Sequence, residues 1–206
     1  MATHLNGTAN DVARNGQNPV QKNKVKSPIS LAHVVLRTSN YEAMVQFWQT
    51  FLGADINFKD HQLAFLRYDA EHHRIAIINV PGTGPKEQAS AGLEHIAFTF
   101  ETLDDLLESY LQRKALGMMP CWCINHGPTT SIYYRDPDGN RVETQVDNFD
   151  TVDEAHAFMT STLFKENPIG TDFDPEDLIK RLKAGEDHRS IKTRVEIGPR
   201  SFPEGF

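Results

Sequence analysis

The chain has 206 residues, 39% of them hydrophobic and 24% charged, an ordinary balance for a globular protein with a real core. Its formal net charge of −7 leaves no basic face for nucleic acid or an anionic membrane, and no stretch approaches the roughly 20 apolar residues of a membrane helix. The two cysteines, Cys121 and Cys123, sit one residue apart on a strand-like segment, where their side chains point to opposite faces and do not pair. So low a count suits a reducing compartment, and the cytosol is the expected address.

Residues 1–27 are rich in Asn, Gln, Lys and Thr, lack an apolar run of the signal-peptide kind, and read as a disordered leader. Ile29–Arg37 reads as a β-branched strand with His33 in its middle. Ser39 or Asn40 offers an N-cap, and Met44, Phe47, Trp48 and Phe51 recur at helical spacing until Gly53 stops the helix. Ala54–Phe58, Leu63–Tyr68 and Arg74–Val80 are strand-like, and the Pro-Gly loop Pro81–Pro85 with the stretch Lys86–Ala91 closes this half.

The second half repeats that order. Leu93–Phe100 is a strand containing His95, and Leu103–Leu116 is an amphipathic helix ended by Gly117. Cys121–Asn125, Ser131–Arg135 and Arg141–Val146 are strands, the last two joined by the turn Asp136-Pro137-Asp138-Gly139. The halves even begin alike, Leu31-Ala32-His33-Val34-Val35 against Leu93-Glu94-His95-Ile96-Ala97. A lone four-stranded sheet cannot bury both faces, so the repeat predicts an α+β fold. In it two βαβββ modules, 28–85 and 91–148 within a domain spanning 28–148, form curved mixed sheets around a shared cleft. In 149–206, Asp153–Thr162 reads as a short helix and Asp174 caps a second one, Pro175–Ala184. Glu186–Phe206 is charged and aperiodic, an extended tail for the core or for a partner subunit.

His33 and His95 hold equivalent places in the two modules. Alone, either is better explained as a satisfied core histidine. Repetition places them on opposite walls of one cleft. Glu143, in the final strand beside Val142, is a carboxylate too costly to bury unless it is paired or bound to metal. Two imidazoles and one carboxylate make a set that leaves adjacent positions open on Fe(II), where a structural site would be closed.

The most specific stretch runs Ile124-Asn125-His126, five residues, Ile132-Tyr133, two residues, Asp136-Pro137-Asp138-Gly139, three residues, Glu143. Here the chain resembles the vicinal-oxygen-chelate superfamily, and within it the type I extradiol ring-cleavage dioxygenases, whose signature has this order of His, Tyr, Asp-Pro-x-Gly and Glu. A second resemblance lies in Phe65-Leu66-Arg67-Tyr68 followed by Glu71-His72-His73-Arg74-Ile75-Ala76-Ile77, which matches the segment bearing the family's active-site histidine, with either His72 or His73 in that place and His73 the better match. The resemblance implies a metal held by His33, His95 and Glu143, namely Fe(II) or Mn(II), and a small aromatic diol cleaved with O2. It implies that Tyr133 and His126 hydrogen-bond the substrate region, and that His73 serves as acid–base near O2.

Trp48, Phe51, Trp122 and Phe149 are candidate ring-binding walls, or plain core. Cys121-Trp122-Cys123 has the wrong spacing for a thiolate metal site. Resemblance covers Ile29 to about Asp147, a single double module where many family members have two, which implies that the missing interface is covered by the tail or by oligomerisation, a homo-oligomer being the expected state. A glyoxalase-like lyase or an epimerase is the alternative enzyme; it needs a fourth ligand, for which Ile75–Val80 offers only Asn79. A metal-free small-molecule binding protein is the alternative outside catalysis.

Overall fold

The structure, a computed structural model, describes residues 25–203, so the expected leader lies outside the described residues except for 25–27. Among the described residues, every helix and strand lies between Val34 and Lys192. The expected first strand is shorter than its β-branched sequence suggests. It runs only Val34–Thr38 (β1), because its pairing with the fourth strand begins at Val34↔Ile75 and leaves His33 ahead of the ladder.

Helix α1 (Tyr41–Leu52) forms because Met44, Val45, Trp48 and Phe51 share one face, and all four are buried. Gly53 stops it in the left-handed conformation, φ 59°, and the Ala54 N–H returns to the Gln49 carbonyl at 2.9 Å. Asn40 takes the N-cap place without a side-chain cap; Thr38 Oγ1 accepts the Asn40 N–H at 2.7 Å instead. Then come β2 (Asp55–Lys59), β3 (Leu63–Arg67) and β4 (Ile75–Asn79). The first sheet has the order β1-β4-β3-β2, with β1 and β4 parallel and the other pairs antiparallel.

The second module has β5 (His95–Thr99), α2 (Leu103–Ala115), β6 (Trp122–Asn125), β7 (Thr129–Arg135) and β8 (Arg141–Asp147). Its sheet runs β5-β8-β7-β6-β9, again with the first pair parallel. Thr102 caps α2 by accepting the Asp105 N–H at 3.1 Å. Arg113 on that helix ties the modules together. It is buried, donates from Nε and Nη2 to the Phe51 carbonyl at 3.0 and 2.7 Å, and lies 4.0 Å over the Phe51 ring. A free carbonyl at the end of α1 thereby finds a cation.

The two modules share one core, in which Trp48, Phe51, Leu66, Ile77, Leu106, Ile132, Tyr134 and Val142 are buried. Trp48 and Phe51 are therefore core residues and not ring-binding walls, and Trp48 Nε1 donates to Asp136 Oδ2 at 3.3 Å. The Asp-Pro-Asp-Gly turn gains its rigidity here, since Asp136 Oδ1 also accepts the N–H groups of Asp138 and Asn140 at 3.0 and 2.8 Å.

The chain after β8 is not a loose tail. Helices α3 (Val152–Met159) and α4 (Thr162–Glu166) precede β9 (Thr171–Asp172), which pairs with β6 and covers the edge of the second sheet. Helix α5 (Pro175–Lys183), with Asp174 at its N-cap as expected, and α6 (His188–Lys192) place Leu178, Ile179 and Ile191 in the main core. No helix among the described residues is long and apolar enough to cross a membrane.

Candidate active site

The second sheet builds most of the site by register. Ala97 stands opposite Glu143, Glu143 opposite Tyr133, and Tyr133 opposite Trp122, so β5, β8, β7 and β6 each contribute to one row on one face. His95 lies two residues before Ala97 and shares that face. Its Nε2 is 3.0 Å from Glu143 Oε2, and its Nδ1 bonds Glu94, whose other oxygen accepts from Arg141 Nη1 at 2.7 Å.

Glu143 is buried, and burial alone would raise its carboxyl pKa. The hydrogen bonds from His95 and Ser131 and the charge of His95 outweigh that and hold it below the usual carboxylate range. The same Glu143 hydrogen bond, opposed by partial burial and aided by Glu94, pushes His95 up to about 8. Tyr133 is buried, and desolvation together with the Glu143 charge raises its phenol far above the usual value, so it stays protonated.

His126, just past the end of β6, completes this group. Its Nδ1 is 2.5 Å from the Ile169 carbonyl and its Nε2 is 3.0 Å from the Tyr133 hydroxyl. A carbonyl can only accept, so the Nδ1 carries the proton and Nε2 accepts from Tyr133. Burial lowers the pKa of this imidazole, in keeping with a neutral ring. Trp122 walls the group, tilted over Tyr133 at 5.2 Å and edge-on to His126 at 5.7 Å.

His33 and His73 form a separate pair. Their ring centroids are 4.4 Å apart, and His73 also stacks on Phe65 at 4.5 Å. Burial and the neighbouring His33 and His72 depress the His73 pKa. His72 is mostly exposed beside Glu71, which makes His73 the inward member of the His72-His73 pair. Among the described residues no group of three His, Cys, Asp or Glu side chains stands ready to hold a metal ion. The structure thus brings His95 to Glu143 but does not bring His33 into the same group. The Val34 N–H bonds the Arg74 carbonyl at 2.9 Å, where the β1–β4 ladder begins just after His33.

The donor chemistry of the pair fits a divalent cation: a buried carboxylate, an imidazole nitrogen against it, and a second carboxylate orienting the ring from behind. The parallel registers also compare the modules. Val35 faces Ala76 where Ala97 faces Glu143, so the first module places alanine where the second has its carboxylate. A fourth protein ligand is absent from that position. Phe149 packs on Phe158 at 5.6 Å, in the C-terminal extension and not in this row. A cavity of about 690 Å³ lined by Arg37, Lys86, Pro137 and Asn140 includes none of these side chains. Both cysteines are free thiols.

Sequence reasoning missed Glu94, Ser131 and the Ile169 carbonyl. Alternation in the expected strand would turn Glu94 away from His95, but Glu94 precedes β5 and its carboxylate meets the ring; a backbone carbonyl 43 residues from its histidine leaves no sequence signal.

The paired βαβββ sheets with a buried His–Glu couple define a class. The sequence pattern of the Glyoxalase/Bleomycin resistance protein/Dioxygenase superfamily matches residues 30–144, and the chain belongs to that superfamily. Within it, the chain is 47% identical over 155 residues to biphenyl-2,3-diol 1,2-dioxygenase 2 of Rhodococcus globerulus, covering 75% of this chain and 82% of that one. It is 44% identical over 167 residues to biphenyl-2,3-diol 1,2-dioxygenase 3 of the same organism, covering 80% and 88%. A solved glyoxylase/bleomycin resistance protein/dioxygenase domain from Frankia sp. EAN1pec, 16% identical, shares the fold with a TM-score of 0.50 over 64% of this chain and 99% of that one.

Proposed function

We propose that this chain is an extradiol ring-cleavage dioxygenase, an oxidoreductase that opens a catechol-type ring and incorporates both atoms of O2. The observation that carries the reading is the buried Glu143 joined to His95 at 3.0 Å and facing Tyr133 across the sheet. The 47% and 44% identities to biphenyl-2,3-diol 1,2-dioxygenases support it and favour a two-ring diol such as 2,3-dihydroxybiphenyl.

Extradiol dioxygenases of this superfamily are metal-dependent. Fe(II) is the proposed ion, with Mn(II) accepted by the same ligand types. His95, Glu143 and His33 are the proposed ligands. Bound there, the ion lowers the pKa of the diol and supplies the electron path between diol and O2 that side chains cannot. The chain supplies position and protons. Tyr133 is held protonated by burial and by Glu143, and its one hydroxyl proton, given to His126 Nε2 here, can turn to a substrate oxygen. His126 accepts from Tyr133 at Nε2 and can take a proton at that atom. His73, its pKa lowered by burial and by the neighbouring His33 and His72, is the proposed acid–base on the first module's wall. Trp122 excludes water from one side of the row.

The alanine at position 76 argues against a glyoxalase-like lyase, which needs a fourth ligand in the first module. A homo-oligomer in the cytosol is the proposed state and place. The test is anaerobic loading with Fe(II) or Mn(II), followed by O2 uptake with 2,3-dihydroxybiphenyl. One mole of O2 consumed per mole of diol is expected; a loaded protein that binds the diol without taking up O2 ends the proposal and leaves a binding protein.

A further inference from the structure

The C-terminal extension meets the active-site row at Trp122, whose Nε1 donates to Asp172 Oδ1 at 2.8 Å, and at the backbone around His126. Gly170, at φ 116°, lies so close to Asn125 and His126 that a Cβ there would stand 2.2 Å from the Asn125 carbonyl oxygen and 2.8 Å from the His126 Cα. Asn167 shapes the turn that delivers this contact, its Oδ1 accepting the N–H groups of Ile169 and Gly170 at 3.2 and 2.8 Å. Arg194 is buried and spans three carbonyls, those of Asn167 at 2.7 Å, His126 at 3.2 Å and Leu163 at 3.3 Å. Glu196 holds its other edge, accepting from Nε and Nη2 at 3.0 and 2.7 Å, and Phe158 lies 5.0 Å beneath it. Asn125 Nδ2 reaches the Lys192 carbonyl at 2.8 Å, so the same extension grips both residues.

We propose that the extension is a positioning clamp in which Gly170 and Arg194 fix the Ile169 carbonyl against His126 Nδ1, so that the ring presents a bare Nε2 to the Tyr133 hydroxyl. A surface tail needs no buried guanidinium, and burying one is costly unless its donors are met. Here they are met by carbonyls on both sides of the His126 contact. With the carbonyl displaced, the neutral ring is free to carry its proton on Nε2, and Tyr133 loses the imidazole as acceptor and keeps only the Glu143 carboxylate. Arg194 and Gly170 act through His126 and are positioning residues.

This inference rests on the reading that His126 and Tyr133 face substrate, and the two fail separately. The first measurement is imidazole 15N NMR of the full chain without added metal. It is expected to show His126 protonated at Nδ1, and in Arg194→Lys and Gly170→Ala a mixture of both tautomers. An Nε2-protonated ring in the parent protein, or an unchanged ring in both variants, overturns the clamp whatever His126 does in catalysis. The second is a mutant cycle on metal-loaded enzyme with 2,3-dihydroxybiphenyl. Each variant is expected to lower kcat on the order of tenfold with little change in KM. In a His126→Ala background the same substitutions should cost nothing further. Equal losses in both backgrounds would mean a merely structural role and overturn the clamp. A normal kcat in His126→Ala with the expected tautomer would instead sink the catalytic reading and keep the clamp. Arg194→Lys keeps the charge and Gly170→Ala keeps Arg194, so one reports if the other fails to fold.

Discussion

Glu143 is held by hydrogen bonds from His95, Ser131 and Tyr133. A carboxylate so placed is either a costly structural pair or a ligand, and the two differ when one partner is removed. As ligands, His95→Ala and Glu143→Ala each lose the metal, read as metal per chain after loading and desalting. His33→Ala is the discriminating case. Its ring stands against His73, 4.4 Å away, and nothing fixes it beside Glu143. Loss of metal in His33→Ala would show that the ring joins the pair when the ion binds; full retention would remove His33 from the ligand set. Tyr133→Phe should retain metal and lower kcat on the order of 100-fold, since it deletes a donor and leaves the ring packed between Trp122 and His95. A Tyr133→Phe enzyme with parental kcat would mean that the hydroxyl serves only to orient His126.

At the scale of elements, Glu186 shows how the extension is pinned. It follows α5 and accepts from Arg181 Nε at 2.8 Å and from the Ser190 hydroxyl at 2.8 Å, bracing α5 against α6. The Arg181 bonds first, then Ser190, pull its carboxyl from 4.5 to about 2. A depressed carboxyl contributes stability above its unfolded value, and that stability fades as pH falls through the folded one. Wild type should therefore resist urea better than Glu186→Gln at neutral pH, with the gap narrowing below 4.5 and closing near about 2. A gap unchanged over that window would mean the brace is not ionic. This brace, and the helix it holds, were not legible in the sequence. Glu186–Phe206 has no hydrophobic period, and its place in the fold depends on Ile191 and on the polar reach of Arg194. By contrast α1, α2 and the strands were legible because burial follows a period of 3.6 or 2. The repeat was legible too, yet it misled at one point: His95 lies inside β5 opposite Arg141, while its counterpart His33 lies before β1 begins. Equal positions in a repeat share a pattern of neighbours, and strand ends are where that pattern lapses.

For the whole molecule, the question is whether the C-terminal extension holds the fold, the site or both. It covers the β6 edge through β9 and sends Leu178, Ile179 and Ile191 into the shared core. Cutting the chain after Asn148 would expose that edge and open the core, and the product is expected to aggregate; aggregation alone does not separate the two roles. Leu178→Ala separates them, because Leu178 is buried on α5 and is not among the groups bonded to His126. Removing its side chain should cost about 2–5 kcal/mol, read as a lowered urea midpoint, with kcat near parental in the folded enzyme. Arg194→Lys is expected to do the reverse, losing more turnover than stability. If Leu178→Ala slows turnover as much as Arg194→Lys does, the extension acts on the site only by keeping the molecule folded. If the two part as expected, one segment performs two jobs through different residues: apolar ones that complete the core, and polar ones that set a proton.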